Sequence, residues 1–266
     1  MRRGLTRALL VLVAAVALAA PVWSAGQAGY LAPGSFDILA VLPPAPAVGG
    51  ARDAADRSIF LATRALVGTP RWQMATDDVK TGVPDMLRDF SCAAGIALTP
   101  DNARKLAALV ARAGRDTGAA TNVAKDHYKR LRPYKVDPVD PAKVCEPEAE
   151  LDGSYDYPSG HTTWGWTWAT ILAELIPDHA AAILARGRAY GESRAVCGAH
   201  NYSAVQGGWL SASATLAAVR ATPAYQADVA AARAELDALR HTAPDAKTCA
   251  AEAALVSEDI LSGTVH

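Results

Sequence analysis

Charge is scarce in this 266-residue chain: Asp, Glu, Lys and Arg make up 20% of it and nearly cancel, leaving a formal net charge of −1. A chain without a net field is not drawn as a whole to nucleic acid or to anionic lipid, so any cationic site must be local. Runs of strict apolar–polar alternation, the mark of half-buried strands, are missing, which argues against a sheet protein. Beyond the first residues no stretch is long and apolar enough to cross a bilayer. The four cysteines form no CxxC pair and match no zinc spacing, which disfavours a structural zinc site. Three catalytic signatures are absent as well: there is no GxSxG elbow around Ser159, no GxxxxGK[ST] loop and no HExxH.

What is present begins with a leader. "MRRGLTR" is a positive segment, "ALLVLVAAVALAA" an apolar one, and "PVWSAGQA" a small-residue boundary. Residues 1–25 therefore read as a signal peptide, with cleavage after Ser24 or after Ala28 both fitting. An uncleaved anchor is the alternative, disfavoured by the short apolar run. Residues 29–266 are long enough to bury a core and suit one domain. In an oxidising compartment an even number of cysteines suggests two disulfides among Cys92, Cys145, Cys197 and Cys249, with three connectivities open, the alternative being buried thiols. Together these features predict an exported, periplasmic protein with no membrane attachment after cleavage. The homo-oligomeric state is left open.

The chain then reads as helices. Residues 29–50, rich in Pro and Gly, form an extended lead-in, and "ARDAADRSIFLATRAL" has helical periodicity ending near "GTP". Thr99 with Pro100 predicts the start of a helix over "DNARKLAALVARAG", and a further helix is expected from about Thr117 to Arg132, ended by Pro133 and Pro138. Residues 133–158 carry five prolines and read as a long loop, and loops of that length are usually functional. "HTTWGWTWATILAELI" is an apolar helix; "DHAAAILARGRAYGE" is expected to be capped by Asp178. "SAVQGGWLSASATLAAVRA" follows, and "TPAYQADVAAARAELDALRH", opened by Thr then Pro, is expected to be the last. The predicted class is all-α, a single-domain helical bundle.

Three pieces carry chemistry. In "KDHYKRLRP" Lys125 and Arg132 stand seven apart, which on one helix would put both on one face, with Lys129 sharing that face and Arg130 close by. In "PSGH" Pro158 fixes the entry, Ser159 can cap, Gly160 admits close backbone approach, and His161 opens a helix whose N–H groups form an anion site. "SRAVCGAH" supplies Arg194 and His200. Separated cations, a helix N-terminus and two imidazoles suit phosphoryl transfer: the cations neutralise the equatorial oxygens, one imidazole attacks phosphorus and the other protonates the leaving oxygen. This chemistry calls for no metal and no cofactor. His127, His179, His241 and His266 are read as surface or structural residues.

The order K-x6-R-P, P-S-G-H, S-R-x5-H resembles the type 2 phosphatidic acid phosphatase and vanadium haloperoxidase superfamily. "GTPRW", "DFSCAAG" and "YGESRAVCGAH" are similar to its bacterial class A non-specific acid phosphatases. The resemblance implies an all-α fold and metal-independent hydrolysis of small-molecule phosphomonoesters, over a broad range, at acidic pH. It implies His200 as the nucleophile that becomes phosphohistidine and His161 as general acid. Lys125, Arg132 and Arg194, with Ser159 and the Gly160 N–H, would hold phosphate. An acidic optimum fits a His161 that must be protonated, since His titrates near ~6.5.

One position departs from the pattern. The carboxylate expected four residues after the nucleophile, one helical turn on, is Ala204 here. Losing an orienting carboxylate can cost about four orders of magnitude. The substitutes in view are Asp126 or Glu192, a backbone carbonyl, or Gln206. The rival functions are a catalytically weak or inactive phosphate binder, favoured by Ala204, and a vanadium-dependent haloperoxidase. A lipid phosphatase is weaker, because the superfamily's lipid enzymes are usually membrane-embedded.

Overall fold

The structure, a computed structural model, describes residues 28–261. The expected signal peptide and His266 lie outside the described residues. Among those described, eleven α-helices follow one another without a strand. They are α1 (Ala51–Thr63), α2 (Pro70–Asp77), α3 (Val83–Ala94), α4 (Arg104–Tyr128), α5 (Pro133–Val136), α6 (Glu148–Leu151), α7 (Gly160–Leu175), α8 (Ala180–Val196), α9 (Tyr202–Arg220), α10 (Pro223–Leu239) and α11 (Ala246–Val256). The all-α expectation holds. Among the described residues no helix is long and apolar enough to cross a membrane.

Helix α7 is the axis. A helix apolar on every side must be surrounded by others, and α7 buries Thr162, Gly165, Trp168, Ala169, Ile171, Leu172 and Leu175. It packs against α8, α9, α4 and α10. Leu106, Leu109 and Val110 of α4, Tyr190 of α8, Leu216 and Val219 of α9, and Tyr225 and Leu236 of α10 complete this core. Each large apolar side chain so buried contributes roughly 1.5–3 kcal/mol. Because α7 is fixed along its length, its first turn, which carries "SGH", is fixed too.

Several boundaries differ from expectation, each for a local reason. Thr99 and Pro100 do not open a helix. Thr99 and Asn102 exchange bonds in a closed turn (Thr99 N–H to Asn102 Oδ1, 2.8 Å; Asn102 N–H to Thr99 Oγ1, 3.3 Å), and α4 starts at Arg104. The two helices expected on either side of residue 117 are one. Gly114 lies inside α4, where a Cβ would run into the Trp164 ring. Helix α4 ends at Tyr128, where Lys129 turns into the left-handed region (φ 47°), so Arg132 is off the helix and N-caps α5. The long loop is interrupted by α5, α6 and a 3₁₀ turn at Pro141–Lys143. Asp178 caps nothing; it pairs with Arg240 (2.6 Å), and α8 runs on through Val196. Thr222 does cap α10, accepting from the Tyr225 N–H (3.3 Å), but α10 is followed by α11, and α2 and α3 were not foreseen.

Of the three possible connectivities the structure has Cys92–Cys249, joining α3 to α11, and Cys145–Cys197, joining the loop before α6 to the end of α8. Both removed the thiol alternative.

Candidate active site

The first turn of α7 is held from three sides. Ser159 is the N-cap, its Oγ accepting from the Thr162 N–H (3.3 Å), and its own N–H donates to the Ala204 carbonyl in the first turn of α9 (2.9 Å). The Tyr157–Pro158 peptide ahead of it is cis. The amides of Gly160 and His161 fall where a helix has no preceding carbonyl to bond, so they are available to an anion. His161 bends away from the helix axis, its Nε2 facing the Val79 carbonyl at 3.1 Å, just beyond α2.

His200 is placed by the way α8 stops. Gly198 takes a left-handed conformation (φ 78°). The Gly198 N–H bonds the Ala195 carbonyl (3.0 Å) and the Ala199 N–H bonds the Arg194 carbonyl (3.1 Å), the Schellman closure of a helix end. The His200 N–H reaches the same Arg194 carbonyl (3.2 Å). The chain thus curls back around Arg194 and brings His200 beside it.

The His200 ring is fixed at both nitrogens. Nε2 faces Arg132 Nη1 at 3.0 Å, and a guanidinium only donates, so Nε2 holds the lone pair. Nδ1 therefore carries the proton and gives it to Asp156, whose backbone carbonyl lies at 2.8 Å and whose Oδ1 lies at 3.1 Å. Asp156 is fully buried and is itself fixed. Its Oδ1 accepts from the Asn201 N–H (3.0 Å), its Oδ2 from Asn201 Nδ2 (2.9 Å), and Arg130 Nη1 stands 3.4 Å away. Arg130 is anchored in turn by Asp53 (3.0 Å) and Asp56 (2.9 Å).

Asp156 is the residue at the His200 ring that the sequence did not reveal. Of the substitutes expected for the missing carboxylate, Asp126 and Gln206 are exposed and Glu192 is bound to Arg188 (2.6 Å). The carbonyl alternative is half right, because Asp156 offers its carbonyl and its carboxylate together. The sequence signal was slight: an acid two residues ahead of "PSGH", in a segment that has to lie beside it.

The three expected cations converge although Lys125 and Arg132 share no helix face. Lys125, in the last turn of α4, donates to the Tyr155 carbonyl and to Ser154 Oγ (3.3 Å). Arg132 gives Nε to the Ser154 carbonyl (2.9 Å) and Nη1 to the Ala199 carbonyl (2.8 Å). Arg194 is fully buried, pairs with Glu146, and keeps a buried Nε with no hydrogen-bond partner. Lys129, expected on the same face, is exposed, and Arg130 serves Asp156 instead. His127 and His241 are exposed and His179 packs against Gly95, in keeping with structural or surface roles.

Burial and mutual repulsion set the protonation of this cluster. Burial, then the Arg132 charge, hold Lys125 below the ordinary lysine range. Burial, then Arg132, Lys125 and Arg194, hold His200 well below 6.5. Burial, then Arg194, do the same to His161, with Arg132 and Lys125 adding to it and the Val79 carbonyl opposing. Burial raises the Asp156 carboxyl, and Arg130 and the Asn201 donors oppose that rise. Both imidazoles are thus neutral in the unliganded site, and His161 does not have the ordinary histidine pKa that the sequence argument assumed.

The PAP2 superfamily model matches residues 105–228. The chain is 42% identical over 218 residues to an acid phosphatase of Zymomonas mobilis, covering 81% of this chain and 82% of that protein. It is 32% identical over 207 residues to a non-specific acid phosphatase of Providencia stuartii (77% and 83%). A third similarity, 33% over 202 residues, is to a non-specific acid phosphatase of Salmonella typhimurium (74% and 78%).

Proposed function

Because the chain belongs to the PAP2 superfamily, we propose that it is an acid phosphatase hydrolysing phosphate monoesters through a phosphohistidine on His200. The carrying observation is the His200 ring, with a lone pair directed at Arg132 and an N–H held by Asp156, inside a cluster of three cations. The Nε2 pair forms a bond to phosphorus while the bond from phosphorus to the leaving oxygen breaks, and His161 gives that oxygen a proton. Water then attacks phosphorus, His161 takes its proton, and the P–N bond pair returns to Nε2. Lys125, Arg132, Arg194 and the amides at the start of α7 hold the equatorial oxygens, with Ser159 shaping that turn.

The acidic optimum follows from charge balance. Empty, burial and then the cations keep His161 neutral; a bound phosphate cancels the cations' repulsion and lets His161 accept a proton. Phosphate monoesters lose their second proton near pH ~6, so below that the substrate brings the proton with it. A broad substrate range is supported by the wording "non-specific" in the relatives' names. Asp156 removes the reason for reading the chain as a silent binder, since a carboxylate reaches His200 despite Ala204. Export to the periplasm is supported by the signal-like leader and by two disulfides.

The test is release of p-nitrophenol from its phosphate at about pH 5, with and without EDTA, beside trapping of acid-labile phosphate on the protein. Wild type should turn over in EDTA and trap phosphate, and His200→Ala should do neither. Activity that EDTA abolishes would defeat the mechanism.

A further inference from the structure

A buried ionic cluster lies directly behind His161, and the chemistry above does not use it. Asp78, the C-cap of α2, is completely buried. Its Oδ1 accepts from Arg186 Nη2 (2.6 Å), and its Oδ2 accepts from Arg186 Nη1 (3.3 Å) and from the Ser193 hydroxyl (2.6 Å). Arg71 Nη1 donates to Ser193 Oγ (2.9 Å) and its Nη2 to the Ala189 carbonyl (2.9 Å). Arg186 Nε is held by the Asp89 carbonyl (3.1 Å). Arg186 and Ser193 stand seven apart on α8, two turns on one face, so together they grip one carboxylate.

The next residue after Asp78 is Val79, whose carbonyl faces His161 Nε2. The residue after Ser193 is Arg194, a proposed phosphate ligand. One carboxylate therefore sits between the support of the acid and the helix turn of a cation. A buried ion pair is weak evidence for stability alone, since removing two charges from water offsets most of their attraction. Its position suggests another use.

We infer that Asp78, clamped by Arg186 and Ser193, is a positioning residue for His161. It holds the Val79 carbonyl on His161 Nε2–H, leaving Nδ1 as the nitrogen that gives its proton to the leaving oxygen, and keeps that ring in register with Arg194. The inference rests on the assignment of His161 as general acid. It gives a task to Ser193, the first residue of "SRAVCGAH", which the phosphate-binding roles left without one.

A positioning role and a merely structural one separate by leaving group. An aryl leaving group such as p-nitrophenolate departs with little protonation, whereas an alkoxide needs the acid. The test compares kcat/KM, which reports the step that expels the leaving group, for p-nitrophenyl phosphate and glycerol phosphate in wild type, Asp78→Asn, Ser193→Ala and His161→Asn. The ratio of the two rates does not depend on how much of the sample is folded, so a poorly folding Asp78→Asn still reports. Asp78→Asn is expected to lower the glycerol-to-aryl ratio by about tenfold and Ser193→Ala by a few-fold, with KM changed by less than about twofold. Equal losses on both substrates would overturn the inference. A His161→Asn variant with an unchanged ratio would instead remove the acid assignment beneath it.

Discussion

Replacing Asp156 by Asn removes one charge and almost no volume at the point where His200 is held. Four donors converge on this carboxylate: His200 Nδ1 (3.1 Å), Asn201 N (3.0 Å), Asn201 Nδ2 (2.9 Å) and Arg130 Nη1 (3.4 Å). An amide oxygen can serve the first two, but the amide nitrogen would then face Asn201 Nδ2 and Arg130, both donors. The tautomer survives, because the Asp156 carbonyl still accepts from Nδ1 at 2.8 Å. What is lost is the negative charge opposite an imidazole that becomes cationic when phosphorylated. Where such a carboxylate is the sole support the loss reaches about 10⁴, so here kcat should fall by about 10² to 10³, or roughly 3–4 kcal/mol. Single-turnover formation of phosphohistidine should slow in parallel, while KM stays near wild type, since Asp156 does not face the phosphate. Asp126→Asn and Glu192→Gln should change kcat less than about twofold. Ala204→Asp should not raise turnover in the wild-type background, because His200 Nδ1 is already occupied and the new carboxylate would be buried. An Asp156→Asn enzyme within about threefold of wild type would refute the reasoning.

Gly160→Ala tests the anion cradle: its Cβ would meet only Lys125 Cε at 3.8 Å, an ordinary contact. Thermal stability should be unchanged while inhibition by inorganic phosphate weakens by about tenfold; unchanged inhibition would place the anion elsewhere. The two histidines give a stability signature. Both are held below their ordinary value in the folded state, so as pH falls below about 6.5 the unfolded chain takes up protons first and stability declines. In urea unfolding, wild type should lose up to ~1.4 kcal/mol per pH unit more than His161→Asn below about pH 6.5, and parallel curves would contradict the depressed pKa. Removing the Cys145–Cys197 bridge, which spans 52 residues, should cost up to about 4 kcal/mol by urea unfolding. It should also weaken phosphate inhibition, because Glu146, the partner of Arg194, loses its tether; intact inhibition would separate the bridge from the site.

The bundle and most of the site were legible because their signals are local. Thr222 before Pro223 marks a helix start by its own hydroxyl, and the apolar run of α7 demands burial whatever surrounds it. "PSGH" announces a helix N-terminus in four residues. Lys125 and Arg132 were rightly grouped for the wrong reason: spacing suggested one helix face, whereas the left-handed Lys129 breaks the helix and the chain returns through Arg132. Asp156 was hidden because its contact with His200 spans 44 residues and lies in a loop, where no periodicity says which way a side chain points.

Cys197 lies three residues before His200, and Cys145 adjoins Glu146, which grips Arg194. A chain whose thiols are kept reduced has the acidic partner of its innermost arginine on an untied strap. The Cys145–Cys197 bond closes that strap, pinning the segment that carries Glu146 to the end of the helix that carries Arg194.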